Sequence, residues 1–477
     1  MRYAHTMKSS RHIARLAAAV GLAVGAGVVA IPGSTLPVQA VVCSSTLCGG
    51  GEFHPLTPAR IFDSRPALAV NDVAPLGAKP LSAPDPATFD IGMLGLGGIP
   101  KDPADVLAVV VNITVTEPAA SGYLEAYGKG AKPAVRTSII NFTANQTVPN
   151  VSIVRPGTDG QLEIGLFGQS GTAQVIVDVF GWFSTSNPSD VASVGGARLI
   201  PTTPSRVLDT RAGQNVNRTP AAPLGPKETM VLPIRGVDGV NPTVPDVVPA
   251  NPNVTGVLLN MVGITGGSAT HLSLFPNDLG GADPTTSNLN LAPNSIKANL
   301  VFVPVGDDGN VRIFNNQGST DVVADVVGYM LSGQAQASRA GRVVPLSSPY
   351  RTFDTRLPQW GGVALGPGQA EDWSFADFAS SVAIGPDSVG NQLAVIGNLT
   401  SASVARQYPS VPVSSFLTAY PAGADRPLSS NLNTTEGPAA VPNMAVLKYG
   451  ANNTVRVYNL AGYAHYLFDA SAVVLAD

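Results

Sequence analysis

The chain has 477 residues, enough for about three domains at roughly 150 residues each. Charged residues make up only 13%, while Gly (50) and Pro (41) are plentiful, a profile that argues against helical bundles and suits short strands joined by turns. The net charge is −4, no basic stretch follows the N-terminus, and Val-rich runs recur throughout, so neither nucleic-acid binding nor disorder fits.

Residues 1–40 read as a signal peptide. Arg2, Lys8, Arg11 and Arg15 give a basic start, Leu16 to Ile31 an apolar stretch, and Val38-Gln39-Ala40 a small-residue cleavage site. The apolar run is short for a transmembrane helix, contains several Gly and is followed by Pro32 and Pro37. A lipid anchor on Cys43 would want small residues where Val41 and Val42 stand. No later stretch is long enough to span a membrane, so the expectation is a secreted, extracellular or cell-envelope-associated protein without a membrane span after signal removal. Residues 41–52 form a short segment holding the two cysteines, Cys43 and Cys48, whose spacing outside the cell suits a local disulfide.

The rest of the chain is one pattern written three times. "RIFDSR" begins at Arg60, "RVLDTR" at Arg206 and "RTFDTR" at Arg351, separated by 146 and 145 residues. "SIIN" (Ser138 to Asn141) matches "SNLN" at Ser287 to Asn290 and again at Ser430 to Asn433. "VPN" ending at Asn150 matches "KAN" at Asn299 and "VPN" at Asn443. The closing runs carry Asp178, Asp325 and Asp469, which lie 118, 119 and 118 residues after the first Arg of each copy. Such periods exceed a propeller blade or a solenoid turn, so each copy is expected to be a whole domain. The predicted modules are 53–183, 197–330 and 342–477, joined by Gly/Ser-rich linkers at 184–196 and 331–341.

In copy one, strands are predicted at Val106 to Thr116, Tyr123 to Tyr127, Thr137 to Phe142, Val151 to Val154, Gln161 to Phe167 and Ala173 to Phe183. Asp159-Gly160 signals a hairpin, repeated by Asp308-Gly309 and replaced by Asn452-Asn453 in copy three. The predicted fold is all-β: three tandem antiparallel β-sandwiches, immunoglobulin-like or jelly-roll-like, with a closed barrel as the alternative.

The pattern P-x-R-x-x-D-T-R … V-x-D-V-x-G-Y/W-F, with its intervening Asn, Ser and Asp-Gly signatures, resembles a tandem repeat module of secreted proteins from high-GC Gram-positive bacteria. The resemblance covers nearly the whole mature chain. It implies an accessory or surface module and carries no established activity.

Four Arg and Asp positions per copy ask for partners, because an unpaired buried carboxylate is costly. The expected arrangement is a structural clip in which Arg60 or Arg65 meets Asp178, with Asp63 beside them. Its counterparts are Arg206 or Arg211 with Asp325 and Asp209, and Arg351 or Arg356 with Asp469 and Asp354. A polar binding set of Ser138, Asn141, Ser287, Asn290, Ser430 and Asn433 is the functional candidate. The three histidines of the mature chain, His54, His271 and His465, fall at unrelated places in the copies, so no repeated triad or His-based metal site is expected. No catalytic residue, metal ligand or cofactor is assigned. The expected function is a non-catalytic binding or scaffold protein, with glycan or cell wall as the favoured ligand class. An adhesive protein that binds other surface proteins and a glycan-active hydrolase are the alternatives.

Overall fold

A computed structural model describes residues 50–66, 80–83, 87–157, 159–168, 170–185, 195–212, 222–240, 244–334, 338–376, 378, 392–405, 413–435 and 439–477. The expected signal peptide, the Cys43–Cys48 pair and the middle of both expected linkers lie outside these residues. Among the described residues no helix is long and apolar enough to cross a membrane.

Copy one contributes β1 (Phe53–Asp63), β2 (Leu81–Ala83), β3 (Ala87–Gly92), β4 (Val106–Thr116), β5 (Gly122–Gly128), β6 (Ile140–Phe142), β7 (Val148–Val154), β8 (Gln161–Phe167) and β9 (Gly171–Ser184). Copy two contributes β10 (Arg198–Asp209), β11 (Glu228–Pro233), β12 (Val254–Thr265), β13 (Thr270–Phe275), β14 (Leu289–Leu291), β15 (Ile296–Pro304), β16 (Asn310–Asn315) and β17 (Thr320–Leu331). Copy three contributes β18 (Val343–Asp354), β19 (Ala370–Ser374), β20 (Gln392–Ala405), β21 (Ser414–Pro421), β22 (Leu432–Thr435), β23 (Val441–Lys448), β24 (Thr454–Asn459) and β25 (Tyr463–Leu475).

Every copy folds into two small antiparallel sheets. One has the order β1-β9-β4-β7, repeated as β10-β17-β12-β15 and β18-β25-β20-β23; in copy one β2 adds to β9. The other has the order β3-β8-β5-β6, repeated as β11-β16-β13-β14 and β19-β24-β21-β22. The turns predicted as hairpins lie between β7 and β8 and their counterparts, but those strands belong to different sheets, so each turn links the two sheets of a copy instead of closing a hairpin. Gly160 (φ 73°) and Gly309 (φ 81°) take left-handed backbone there, and Asn452 and Asn453 (φ 55° and 51°) do the same without glycine.

The three tandem sandwiches of the sequence reading are not what forms. The chain is all-β, and its six small sheets, two from each copy, do not form three separate tandem units. The reason lies in the first sheet of each copy, which is buried on both faces. Every residue of β4 is buried. Val109, Val111, Ile113 and Val115 face the copy's own core, while Leu107, Ala108 and Val110 join a common core with Leu258, Leu300, Phe302, Ile396, Met444 and Val446 of the other copies. In β15, Val301 and Val303 face inward to copy two, and Leu300 and Phe302 face the common core. A strand covered on both faces reads as a continuous apolar run, which is what "VLAVVVNITV" is. The copies therefore complete one another, and the chain is not a string of separable units.

The entry strands are stitched together as well. Gly51 N–H donates to Val343 O (2.8 Å), Phe53 N–H to Ala197 O (2.7 Å) and Leu199 N–H to Gly341 O (2.8 Å). Glu52 lies 3.1 Å from Arg198 and 3.4 Å from Arg342, so one carboxylate of copy one faces an Arg from each of the other two. A side chain at Gly51 would place its Cβ 2.2 Å from Ser184 O, so this close approach requires glycine.

Candidate functional site

Two polar assemblies occur once per copy. The first is the Arg–Asp cluster. Arg60 pairs in register with Asp178, Arg206 with Asp325 and Arg351 with Asp469, each next to a register shift that turns the Arg onto the closing strand. Arg60 Nε donates to Asp178 Oδ1 at 2.9 Å, Arg206 Nε to Asp325 Oδ1 at 2.9 Å and Arg351 Nε to Asp469 Oδ1 at 2.5 Å. A second nitrogen of the same guanidinium reaches Asp63 (3.4 Å), Asp209 (3.1 Å) or Asp354 (3.0 Å). The last Arg of each motif does not reach the closing strand. Arg65, Arg211 and Arg356 instead fork onto Asp63, Asp209 and Asp354, at 2.7, 2.7 and 2.6 Å for the shorter bond.

Burial pushes the Asp178, Asp325 and Asp469 carboxyls above the usual carboxylate range, against the pull of the Arg fork. For Asp209 and Asp354 burial also raises the value, but the forks from Arg211 and Arg356 outweigh it and hold both carboxyls below that range. The three closing aspartates are between 0% and 2% exposed, whereas the Arg211 and Arg356 side chains at the outer edge of each cluster reach solvent.

The second assembly joins the copies in a ring. Asn112 Nδ2 donates to Ser287 O of copy two (3.0 Å), Asn260 Nδ2 to Ser430 O of copy three, and Asn398 Nδ2 to Ser138 O of copy one (2.6 Å). A buried Asn on the next copy bonds each of these amides in turn: Asn299 to Asn112 (3.5 Å), Asn443 to Asn260 (2.8 Å) and Asn150 to Asn398 (2.9 Å). Asn443 Oδ1 also accepts Leu300 N–H (3.0 Å) and Asn150 Oδ1 accepts Met444 N–H (3.1 Å), whereas Asn299 Oδ1 has no partner. The seam between copies one and two is thus the least bonded of the three.

The structure divides the polar binding set. Ser138, Ser287 and Ser430 lend their carbonyls to the seams, while their hydroxyls lie 3.0 to 3.5 Å from the amides of Asn141, Asn290 and Asn433. Those three asparagines are half-buried and line one cavity of about 560 Å³ where all three copies meet. Exposed Thr143, Thr147, Gly168 and Ala439 lie on its wall, so the cavity opens to solvent. It sits at the Val148 end of β7, which pairs with Val115 of β4, whereas the Glu52 cluster lies at the far end beside Phe53 and Phe183.

Aromatic surface comes from copy one alone. Tyr123 and Phe142 line the cavity, and Tyr123 stacks on Phe167 with ring centres 5.3 Å apart. Arg136 lies over the other side of that pair, 4.2 Å from the Phe167 ring centre. Lys297 also lines the cavity, at the place held by Val148 in copy one and Val441 in copy three. Sequence reasoning placed the three asparagines among the candidates but missed Lys297 and Phe142. The signal was present in "KAN" against "VPN", but a mismatch between repeats has no meaning until the copies are known to share one cavity.

The chain matches no family model and no curated protein. Among solved structures it is similar to chains of two viral structures, each with 9% identity and a TM-score of 0.17. One is described under the triple jelly roll fold and turret assembly of an archaeal virus, covering 88% of this chain and 90% of that one. The other comes from Sulfolobus Turreted Icosahedral Virus, covering 88% and 91%. A tandem CBM22-1–CBM22-2 structure from Paenibacillus barcinonensis Xyn10C has 12% identity, covers 57% of this chain and 98% of its own, and scores 0.16. Likenesses at these scores carry no argument about fold or activity.

Proposed function

We propose that the protein is an exported, non-catalytic binding protein whose three copies jointly form one ligand pocket, with a glycan unit as its ligand. The observation that carries this reading is the shared cavity, whose volume falls within the roughly 300–1,000 Å³ usual for small-molecule sites. Asn141, Asn290 and Asn433 bring three amides to it from three directions, and amides both donate to and accept from sugar hydroxyls. Tyr123 and Phe142 add ring surface for the apolar face of a sugar. The leader-like residues 1–40 and the secreted repeat module that the chain resembles support an extracellular or cell-envelope setting.

A glycan array probed with the purified mature chain tests it. The wild type should retain a defined set of glycans, and a triple Asn141→Ala, Asn290→Ala, Asn433→Ala variant with an unchanged melting temperature should lose them. Retention by the triple variant would move the site elsewhere and favour an adhesive surface instead.

A further inference from the structure

We propose that the shared pocket selects a glycan that carries a carboxylate, which Lys297 recognises; the proposal rests on the pocket reading above. The cavity wall is contributed by three equivalent segments, 148–150, 297–299 and 441–443. Two of them begin with valine, Val148 and Val441, and the third begins with Lys297. The fold at this point is therefore satisfied by an apolar residue, as copies one and three show. A lysine here gains nothing that the common core needs.

The amine also stands alone. No Asp or Glu is among the residues lining the cavity, and no ion pair joins Lys297 to an acid among the described residues. The other cation of this region, Arg136, stacks on Phe167 and is not part of the wall. Elsewhere this chain pairs its interior charges closely, as in the three Arg–Asp clusters. Taking an ammonium partly out of water without a counter-charge is unfavourable, and a ligand anion relieves that cost. Burial also pushes the Lys297 amine below the usual lysine value, because desolvation disfavours its charged form.

The chemistry of the anion follows from the number of cations. A single ammonium matches a singly charged group such as a carboxylate; a phosphate monoester, with close to two charges, asks for more than one cation. The asparagine amides beside it match the hydroxyls of the same sugar. A uronic acid unit combines the two.

Titration calorimetry with the full mature chain tests this, using a galacturonate trisaccharide, the galactose trisaccharide of the same linkage, and acetate. The wild type should bind the acidic sugar about tenfold or more tightly than the neutral one, the scale of one charge-assisted contact. Lys297→Val, which installs the residue of the other two copies, should equalise the two sugars without lowering the melting temperature, and Lys297→Arg should keep the preference. Equal binding by the wild type, or a preference that survives in Lys297→Val, overturns the proposal and leaves the pocket reading standing. Acetate binding as tight as the acidic sugar overturns it as well, since the site would then read charge alone. If the wild type binds neither sugar and the array also shows no glycan that depends on the three asparagines, the pocket reading falls with it.

Discussion

The Arg–Asp clusters and the shared pocket are made from the same three copies, yet they treat the repeat in opposite ways. Each cluster is the same in all copies to within a few tenths of an ångström at its shortest contacts, and its closing aspartate is fully interior. The pocket starts from an equally regular frame of Asn141, Asn290 and Asn433 and then departs from it, with Lys297 from copy two and Tyr123 and Phe142 from copy one. Where all three copies agree down to the hydrogen bond, the group holds the fold. Where they agree in frame and differ in side chain, the wall has been shaped for something that is not itself three-fold.

The sharpest way to break that contrast is at a closing aspartate. Asp325→Ala takes from the Arg206 guanidinium the carboxylate it forks onto, leaving only the Asp209 carboxylate beside it, and should cost about 3 kcal/mol. Because the copies share a common core, calorimetry should show one transition moved down as a whole. A separate low-temperature transition for copy two would restore independent modules. Next in size, Asn260→Ala removes the amide that bonds both Ser430 and Asn443 across a seam and should cost about 1–3 kcal/mol in urea unfolding. Asp209→Asn should cost a similar amount at neutral pH, with a particular pH dependence. Asp209 is held below the usual carboxylate range in the folded protein, so its contribution is complete above that range and is lost as the pH falls through the lower folded value. The gap between wild type and variant should therefore close in acid.

Smaller effects sharpen the other side. The Arg211 side chain is 48% exposed, so Arg211→Ala should cost at most about 1 kcal/mol. Asn290→Ala, at a half-buried wall position, should change stability by about 0.5 kcal/mol or less in the same unfolding assay while weakening ligand retention. A large loss of stability at Asn290 would place it with the clusters and not with the site.

Much of this was legible from the residues. Gln161 to Phe167 and Val106 to Thr116 were readable as strands because β-branched runs sat between turn signals, and both form at those bounds. Thr137 to Phe142 shrinks to Ile140–Phe142, because Thr137 and Ser138 are drawn away to Glu125 and Asn398. The joining of the three copies through one common core was not legible. Alternation says which residues share a face, and "VLAVVVNITV" shows that both faces are apolar, but nothing local says that the second face belongs to another copy. Ser138 and Asn141 looked like one polar group for the same reason: three residues apart in sequence, one serves a seam and the other a cavity.

The asparagine ring closes only when Asn398 of the last copy reaches Ser138 of the first. A nascent chain lacking copy three would present the outward face of β7, with Val151 and Ile153, to water and leave the Ser138 carbonyl without its amide. A two-copy fragment should therefore be degraded by a protease that the whole chain resists, which limited proteolysis of the two would show.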